Sequence, residues 1–135
     1  MNTARAAARA LTGSTYALLG WDTVREPGGR VQVAGKTLAA MRKVLPMPRD
    51  DAFVVRANGG AQALGGALLA LGIYPRMSAA ILAASLVPTT LAGHGFWAVE
   101  DPAARSMQRI QFHKNLAMLG GLLFAIADAP PRRGR

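Results

Sequence analysis

MSAAILAASLVPTTLAGHGFWAV, residues Met77–Val99, runs for 23 residues without one charged side chain. An α-helix needs about 20 largely apolar residues to cross the hydrocarbon of a bilayer, so this run is long enough to span one. Upstream, ANGGAQALGGALLALGIYP (Ala57–Pro75) is uncharged over 19 residues. Downstream, Asn115–Ala127 is uncharged over 13, but its helix has an earlier start signal in Asp101–Pro102. Asp accepts the free N–H groups of a first helical turn, and Pro suits the first helical position. Pro130 and Pro131 stop that helix near Asp128. A fourth segment, AAARALTGSTYALLGWDT (Ala6–Thr23), keeps its charges, Arg9 and Asp22, close to its ends, where long side chains reach the interface. The expected fold is therefore all-α, an integral membrane four-helix bundle in a single domain over residues 1–135. Its spans are expected at about 6–24, 53–72, 76–97 and 105–128.

None of these segments is Leu-rich, and Gly and Ala take the place of larger apolar residues. Gly59, Ala63, Gly66 and Ala70 recur at helical spacing, forming a ridge of small side chains along which another backbone can approach closely. Gly120 and Gly121 offer the same late in the last helix, and such faces also suit oligomer formation. Between the first two spans, EPGGR signals a turn. Leu38, Met41, Val44 and Leu45 then share one face against polar Lys36, Arg42 and Lys43, before Pro46 and Pro48 end the pattern. This is the pattern of a short amphipathic helix lying in the membrane interface, followed by Asp50 or Asp51 as the cap of the second span. Pro88 falls inside the third span and removes one helical hydrogen bond, with Thr89 and Thr90 placed to re-satisfy the freed groups. The N-terminus is not a signal peptide by pattern, because Gly13, Ser14 and Thr15 break its apolar part and no small-residue cleavage site follows.

Sixteen Lys and Arg against seven Asp and Glu give a net charge of +9, yet the mean hydropathy is +0.20. The basic residues cluster outside the apolar runs, which favours anionic headgroups over nucleic acid as their partner. The absence of Cys excludes disulfides, thiolate chemistry, iron–sulfur clusters and Cys-ligated zinc. No nucleotide-binding or nucleic-acid motif is present, and no metal site is expected. Four spans place both termini on one side with Arg5, Arg9, Arg76, Arg132, Arg133 and Arg135. Arg25, Arg30, Lys36, Arg42, Lys43, Arg49 and Arg105 fall on the other side, so six against seven does not orient the chain.

VRANGGAQALGGALLALG (Val55–Gly72), SLVPTTLAGHGFW (Ser85–Trp97) and DPAARSMQRIQFHKNLAMLGGLL (Asp101–Leu123), in that order, resemble the DoxX family of small bacterial membrane proteins. LLGWDTVREPG (Leu18–Gly28) is similar to the family's first helix and its exit turn. The resemblance implies four transmembrane helices in the inner membrane. The family is named after a subunit of an archaeal thiosulfate:quinone oxidoreductase and terminal quinol oxidase system, and some actinobacterial relatives are linked to redox and oxidative-stress complexes. It thus implies a subunit or anchor of a membrane redox complex, with protein subunits and lipid as partners and quinone as the cofactor it would contact. Any catalysis would be that of an oxidoreductase subunit of the thiosulfate:quinone or a related type. The motif carries over Arg56, Asn58, Gly59 and Gln62.

Polar groups at bilayer depth are the site candidates, because each is costly there unless paired or facing protein or water. Asn58 and Gln62 share a helix face and suit interhelical hydrogen bonding as well as ligand contact. Arg56 needs a partner, and Asp22 is the acid expected to pair with it. His94 ends the third span. His113, Lys114 and Asn115 lie about two turns into the fourth, on the same membrane side. A quinone site needs donors, an apolar slot and nearby aromatics, which His94, Trp97, Phe112, His113 and Lys114 supply. On this reading His113 and Lys114 polarise a quinone carbonyl and His94 relays a proton. Two alternatives stand beside it: a non-enzymatic scaffold or assembly factor, and a carrier of a small molecule or lipid.

Overall fold

A computed structural model describes residues 2–128. The basic tail residues Arg132, Arg133 and Arg135 lie outside the described residues. Among those described, the chain is all-helical: α1 (Thr3–Arg25), α2 (Arg30–Met41), α3 (Asp51–Leu71), α4 (Pro75–Gly93) and α5 (Pro102–Asp128), with one 3₁₀ turn at Phe96–Ala98. At 1.5 Å per residue, α1, α3 and α5 are about 35, 32 and 40 Å long. Two segments, Pro75–Ala98 and Pro102–Asp128, are long and apolar enough to cross a membrane.

Local chemistry sets the helix ends. Asn2 caps α1 through its side-chain oxygen on the Ala4 amide, and Asp50 caps α3 by accepting from the Phe53 N–H at 3.1 Å. Asp101 accepts from the Ala104 N–H at 2.8 Å, so α5 starts at Pro102. Gly72 closes α3 with φ +71°, a left-handed conformation that costs Gly little, and its N–H meets the Leu68 and Leu69 carbonyls. Within the apolar segment Pro75–Ala98, the α-helix stops at Gly93 and the chain passes into the 3₁₀ turn at Phe96–Ala98. Gly93 ends the helix and His94 and Gly95 follow it, the two glycines being poor helix formers, and the His94 N–H closes the last turn on the Thr90 carbonyl.

α1 packs most extensively on α3, antiparallel to it. The contact is a glycine lock. A Cβ on Gly13 would lie 2.5 Å from both the Ala70 nitrogen and the Gly66 carbonyl oxygen. One on Gly20 would lie 2.5 Å from the Ala63 nitrogen and 2.6 Å from the Gly59 oxygen. Gly59 and Gly66 meet α1 equally closely, so the Gly59–Ala63–Gly66–Ala70 ridge is spent on α1, inside the bundle. Both helices repeat glycine every seven residues, which keeps one seam in register as the helices wrap around each other.

α3 also packs on α4, and α4 on α5. Tyr16, Leu69, Ala79, Leu82, Leu86 and Leu122 form the shared apolar core. α1 and α5 scarcely touch along their length and are tied at one end by an Arg5–Asp128 ion pair of 2.6 Å. The exterior is the apolar side: Leu11, Leu18, Leu64, Leu71 and Phe124 are each at least 64% exposed, while Ser78, Ser85, Thr90 and Gln62 are buried.

The amphipathic segment is helical but shifted from its expected place. α2 begins at Arg30 after the Gly28–Gly29 turn and ends at Met41. Leu38 is buried, but Val44 and Leu45 lie beyond the helix and are exposed. α2 rests on α3 and α4, and Arg42 fixes its exit by donating to the Asp51 carboxylate at 2.6 Å and to the Pro48 carbonyl at 2.9 Å.

Candidate functional site

The polar residues of α3 form a chain of hydrogen bonds to α4. Gln62 Nε2 donates to Ser85 Oγ at 2.9 Å, and Ser85 Oγ donates to Asn58 Oδ1 at 2.7 Å. Asn58 Nδ2 reaches Thr89 Oγ1 at 3.3 Å, and Thr89 donates in turn to the Ser85 carbonyl at 2.8 Å. The carbonyl that Pro88 leaves without a helical donor belongs to Ala84, one residue earlier, so Thr89 does not perform the repair expected of it. Thr90 accepts from Asn115 Nδ2 at 3.0 Å, which extends the polar contacts to α5. Asn58, Gln62 and Asn115 thus hold helices in register, with their amide groups engaged inside the bundle.

Arg56 does not meet Asp22. Its guanidinium donates to the Val24 carbonyl at 3.0 Å, and Asp22 forms no ion pair among the described residues. Arg56 and Asp22 are both exposed at one end of the bundle, which removes the desolvation cost that called for pairing. Val24 lies in the last turn of α1, where carbonyls lack helical donors and the helix dipole is negative.

The His-containing candidates separate into two groups. His94, half-buried after α4, has Nδ1 2.7 Å from Gln108 Oε1 on α5. His113 joins an aromatic corner. Phe96 stacks edge-on against Trp97 and Phe112, with ring centroids 5.3 and 5.5 Å apart, and Phe112 meets Trp97 at 5.7 Å and His113 at 5.8 Å. No hydrogen bond or ring contact joins His94 to His113 among the described residues, so the relay between them has no direct link. Phe96 is the residue that sequence reasoning passed over. Its signal was its position between Gly95 and Trp97, where a chain turning back exposes consecutive aromatics to one neighbour.

His113 Nδ1 lies 2.8 Å from the Arg109 carbonyl. A carbonyl only accepts, so Nδ1 carries the proton, and in the neutral ring Nε2 is an acceptor. Beside it, Arg109, Ile110, His113, Lys114 and Ala117 share a shallow, open groove on the outer face of α5. Lys114 contributes three donors there and His113 one acceptor. Among the described residues, no three His, Asp or Glu side chains converge as metal ligands.

A second cavity, about 460 Å³, lies at the opposite end of the bundle between α1 and α5. No curated protein and no solved structure matches the chain. The DoxX family model matches residues 4–95, which takes in α1 through α4 and stops just beyond the Gly93–Gly95 break. That match covers roughly two-thirds of the sequence, and by it the chain belongs to the DoxX family.

Proposed function

We propose that this protein crosses the bacterial inner membrane four times and serves as a subunit or anchor of a membrane redox complex, meeting quinone at the α4–α5 corner. Four long helices with large apolar side chains outside and small polar ones inside suit lipid as the surrounding solvent. Trp21 and Trp97, both exposed, fall at one end of the bundle and exposed Tyr74 at the other, as in the aromatic belts of membrane proteins. α2, with Lys36, Arg42 and Lys43 around it, then lies at headgroup level.

The observation that carries the quinone reading is the α5 groove beside the aromatic corner. Its residues suit the quinone/quinol pair: the His113 ring meets Phe96 and Phe112, Lys114 is a donor to a ring oxygen, and His113 Nε2 is an acceptor for the hydroxyl of the quinol form. Quinone, when bound, supplies two-electron, two-proton chemistry. Lys114 would hydrogen-bond to one ring oxygen, while His113 Nε2 would take the hydroxyl proton of the quinol form, its electrons leaving to the redox partner subunit, with the His113 tautomer set by the Arg109 carbonyl. His113 is thereby assigned proton acceptance, a change from polarising a carbonyl. His94, held by Gln108, positions the α4–α5 turn.

The test is purification from native membranes in mild detergent, with extraction of bound quinone. Quinone should accompany the unaltered protein and be lost from His113→Ala. Absence of both quinone and redox partner subunits from the unaltered protein would overturn the reading. A scaffold or assembly factor is the second reading, favoured by α5 burying only Leu122 and leaving Gly120 and Gly121 open. A stoichiometric protein partner without quinone would select it.

A further inference from the structure

α1 and α5 leave a cleft between them at the end where α1 begins and α5 finishes. Leu69, Leu122, Phe124 and Ala125 give it apolar walls, and its volume of about 460 Å³ lies within the range of ligand pockets. Its charges do not balance. Among the described residues Asp128 is the only acid lining it, and Arg5 already holds that carboxylate with two bonds of 2.6 and 2.7 Å. Arg9 lines the same cleft and has no acidic partner among the described residues. Its Nε is buried without a hydrogen bond, and its guanidinium rests against Gly72 at the end of α3. Buried donors are almost always bonded in folded proteins, so an unmet Arg donor beside a cavity points to an anion that belongs there. A second unmet group lies deeper. Tyr16, two turns along α1 from Arg9, is 4% exposed, its hydroxyl has no partner, and it packs in the same cluster as Leu69 and Leu122.

We propose that the α1–α5 cleft binds an anionic phospholipid, with the phosphate oxyanion on Arg9 and acyl chain against Leu69, Leu122 and Phe124. The lipid source is favoured over free phosphate because the cleft that Arg9 lines also has apolar walls in Leu69, Leu122, Phe124 and Ala125. A fixed polar head above an apolar trough matches an amphiphile. The proposal rests on the four-span reading for placing Arg9 at headgroup level, and it is independent of the quinone site at the opposite end.

The experiment uses the full chain in mild detergent, with native mass spectrometry and thermal unfolding after addition of phosphatidylglycerol, phosphatidylcholine or inorganic phosphate. Phosphatidylglycerol should be retained and raise the unfolding temperature more than phosphatidylcholine does. Arg9→Gln should weaken its retention about tenfold or more, while Arg49→Gln, an exposed cation at the other end, should leave it unchanged. Ala8→Trp, which fills the cleft wall and keeps every charge, should also reduce retention, and it keeps the proposal testable if Arg9→Gln does not fold. Equal retention of the two lipids, full retention by both cleft variants, or equal stabilisation by inorganic phosphate would overturn the proposal. Carbonate extraction of membranes in parallel tells the two failures apart. A chain released from the membrane refutes the four-span reading, whereas an integral chain without lipid preference refutes the cleft alone.

Discussion

Replacing Gly66 with Ala adds one methyl group and should separate two helices. The new Cβ would sit 2.5 Å from the Ala17 nitrogen and from the Gly13 carbonyl oxygen, whereas ordinary contact starts near 3.4 Å. Both obstacles are backbone atoms, so no side chain can rotate away and α1 must retreat by about 1 Å. A gap of 0.5–1 Å forfeits about a quarter to a half of each dispersion contact across the seam. Overpacking of this kind costs about 1–3 kcal/mol, from which the better helix propensity of Ala returns up to about 1 kcal/mol. The net expectation is a loss of about 1–2 kcal/mol, near a tenfold shift in the unfolding equilibrium. Gly121→Ala is the matched control, because a Cβ there meets nothing within 4 Å. The same chemical change should then be neutral or stabilising by up to about 1 kcal/mol. The double variant Gly13→Ala/Gly66→Ala should cost less than the sum of its parts, since one displacement of α1 accommodates both methyl groups. Equilibrium unfolding in mixed micelles, followed by Trp fluorescence, measures these three variants and the single Gly13→Ala. Equal stability of Gly66→Ala and Gly121→Ala, or strict additivity in the double variant, would refute the glycine lock.

Three further outcomes follow from the polar contacts. Ser85→Ala strips partners from both Gln62 and Asn58, so it should destabilise the bundle by about 1–2 kcal/mol in the same unfolding assay, more than Thr89→Val does. Asp22→Asn should stay within about 0.5 kcal/mol of the unaltered protein, while Arg56→Gln should raise amide exchange in the last turn of α1, where Val24 loses its donor. Asp51→Asn should weaken the partly buried Arg42 pair by about 1 kcal/mol or less and show as faster exchange in α2 with little change in α4.

The sequence made helices and caps legible because those are local. Asp101 and Pro102 carry their own start signal, and the ridge of Gly59, Ala63, Gly66 and Ala70 stands at helical spacing within one segment. The partner of that ridge was hidden. Gly13 reads as a break in an apolar run, and only its seven-residue interval from Gly20, matching Gly59 to Gly66, identifies it as the other half of a seam. The Ser85–Gln62–Asn58 chain was hidden for a related reason: amides on α3 announce a need for partners, but which face of α4 answers depends on helix rotation. The aromatic corner is partly legible, since Trp97, Phe112 and His113 fall on the same membrane side in the sequence. Phe96, which touches all three, depends on a 3₁₀ turn that no periodicity signals. The Asp22–Arg56 pair is not legible because burial depends on which way each helix face turns: both side chains are exposed, and Arg56 takes the Val24 carbonyl instead.

The excess of basic residues acquires a structural use once the helices are placed. Arg56 donates to Val24 in the last turn of α1, and Arg76 donates through Nε to the Ile126 carbonyl, 2.9 Å away, in the last turn of α5. Arg9 lies against Gly72, which ends α3. Each cation comes from a different helix than the one whose end it approaches. The last four carbonyls of a helix have no intrahelical donors, and the helix dipole makes that end negative. An Arg reaching across satisfies the carbonyl and ties two helices together, which a local Gly cap cannot do. The arrangement suits a bundle whose helix ends sit near low-dielectric lipid, where an unmet carbonyl is more costly than in water. Arg9 differs from the other two in one respect: it reaches the helix end without finding a hydrogen-bond acceptor there. Two such residues complete the fold internally, and the third, without a hydrogen-bond partner among the described residues, lines a cleft, which is why Arg9 and neither Arg56 nor Arg76 marks a place for an external anion.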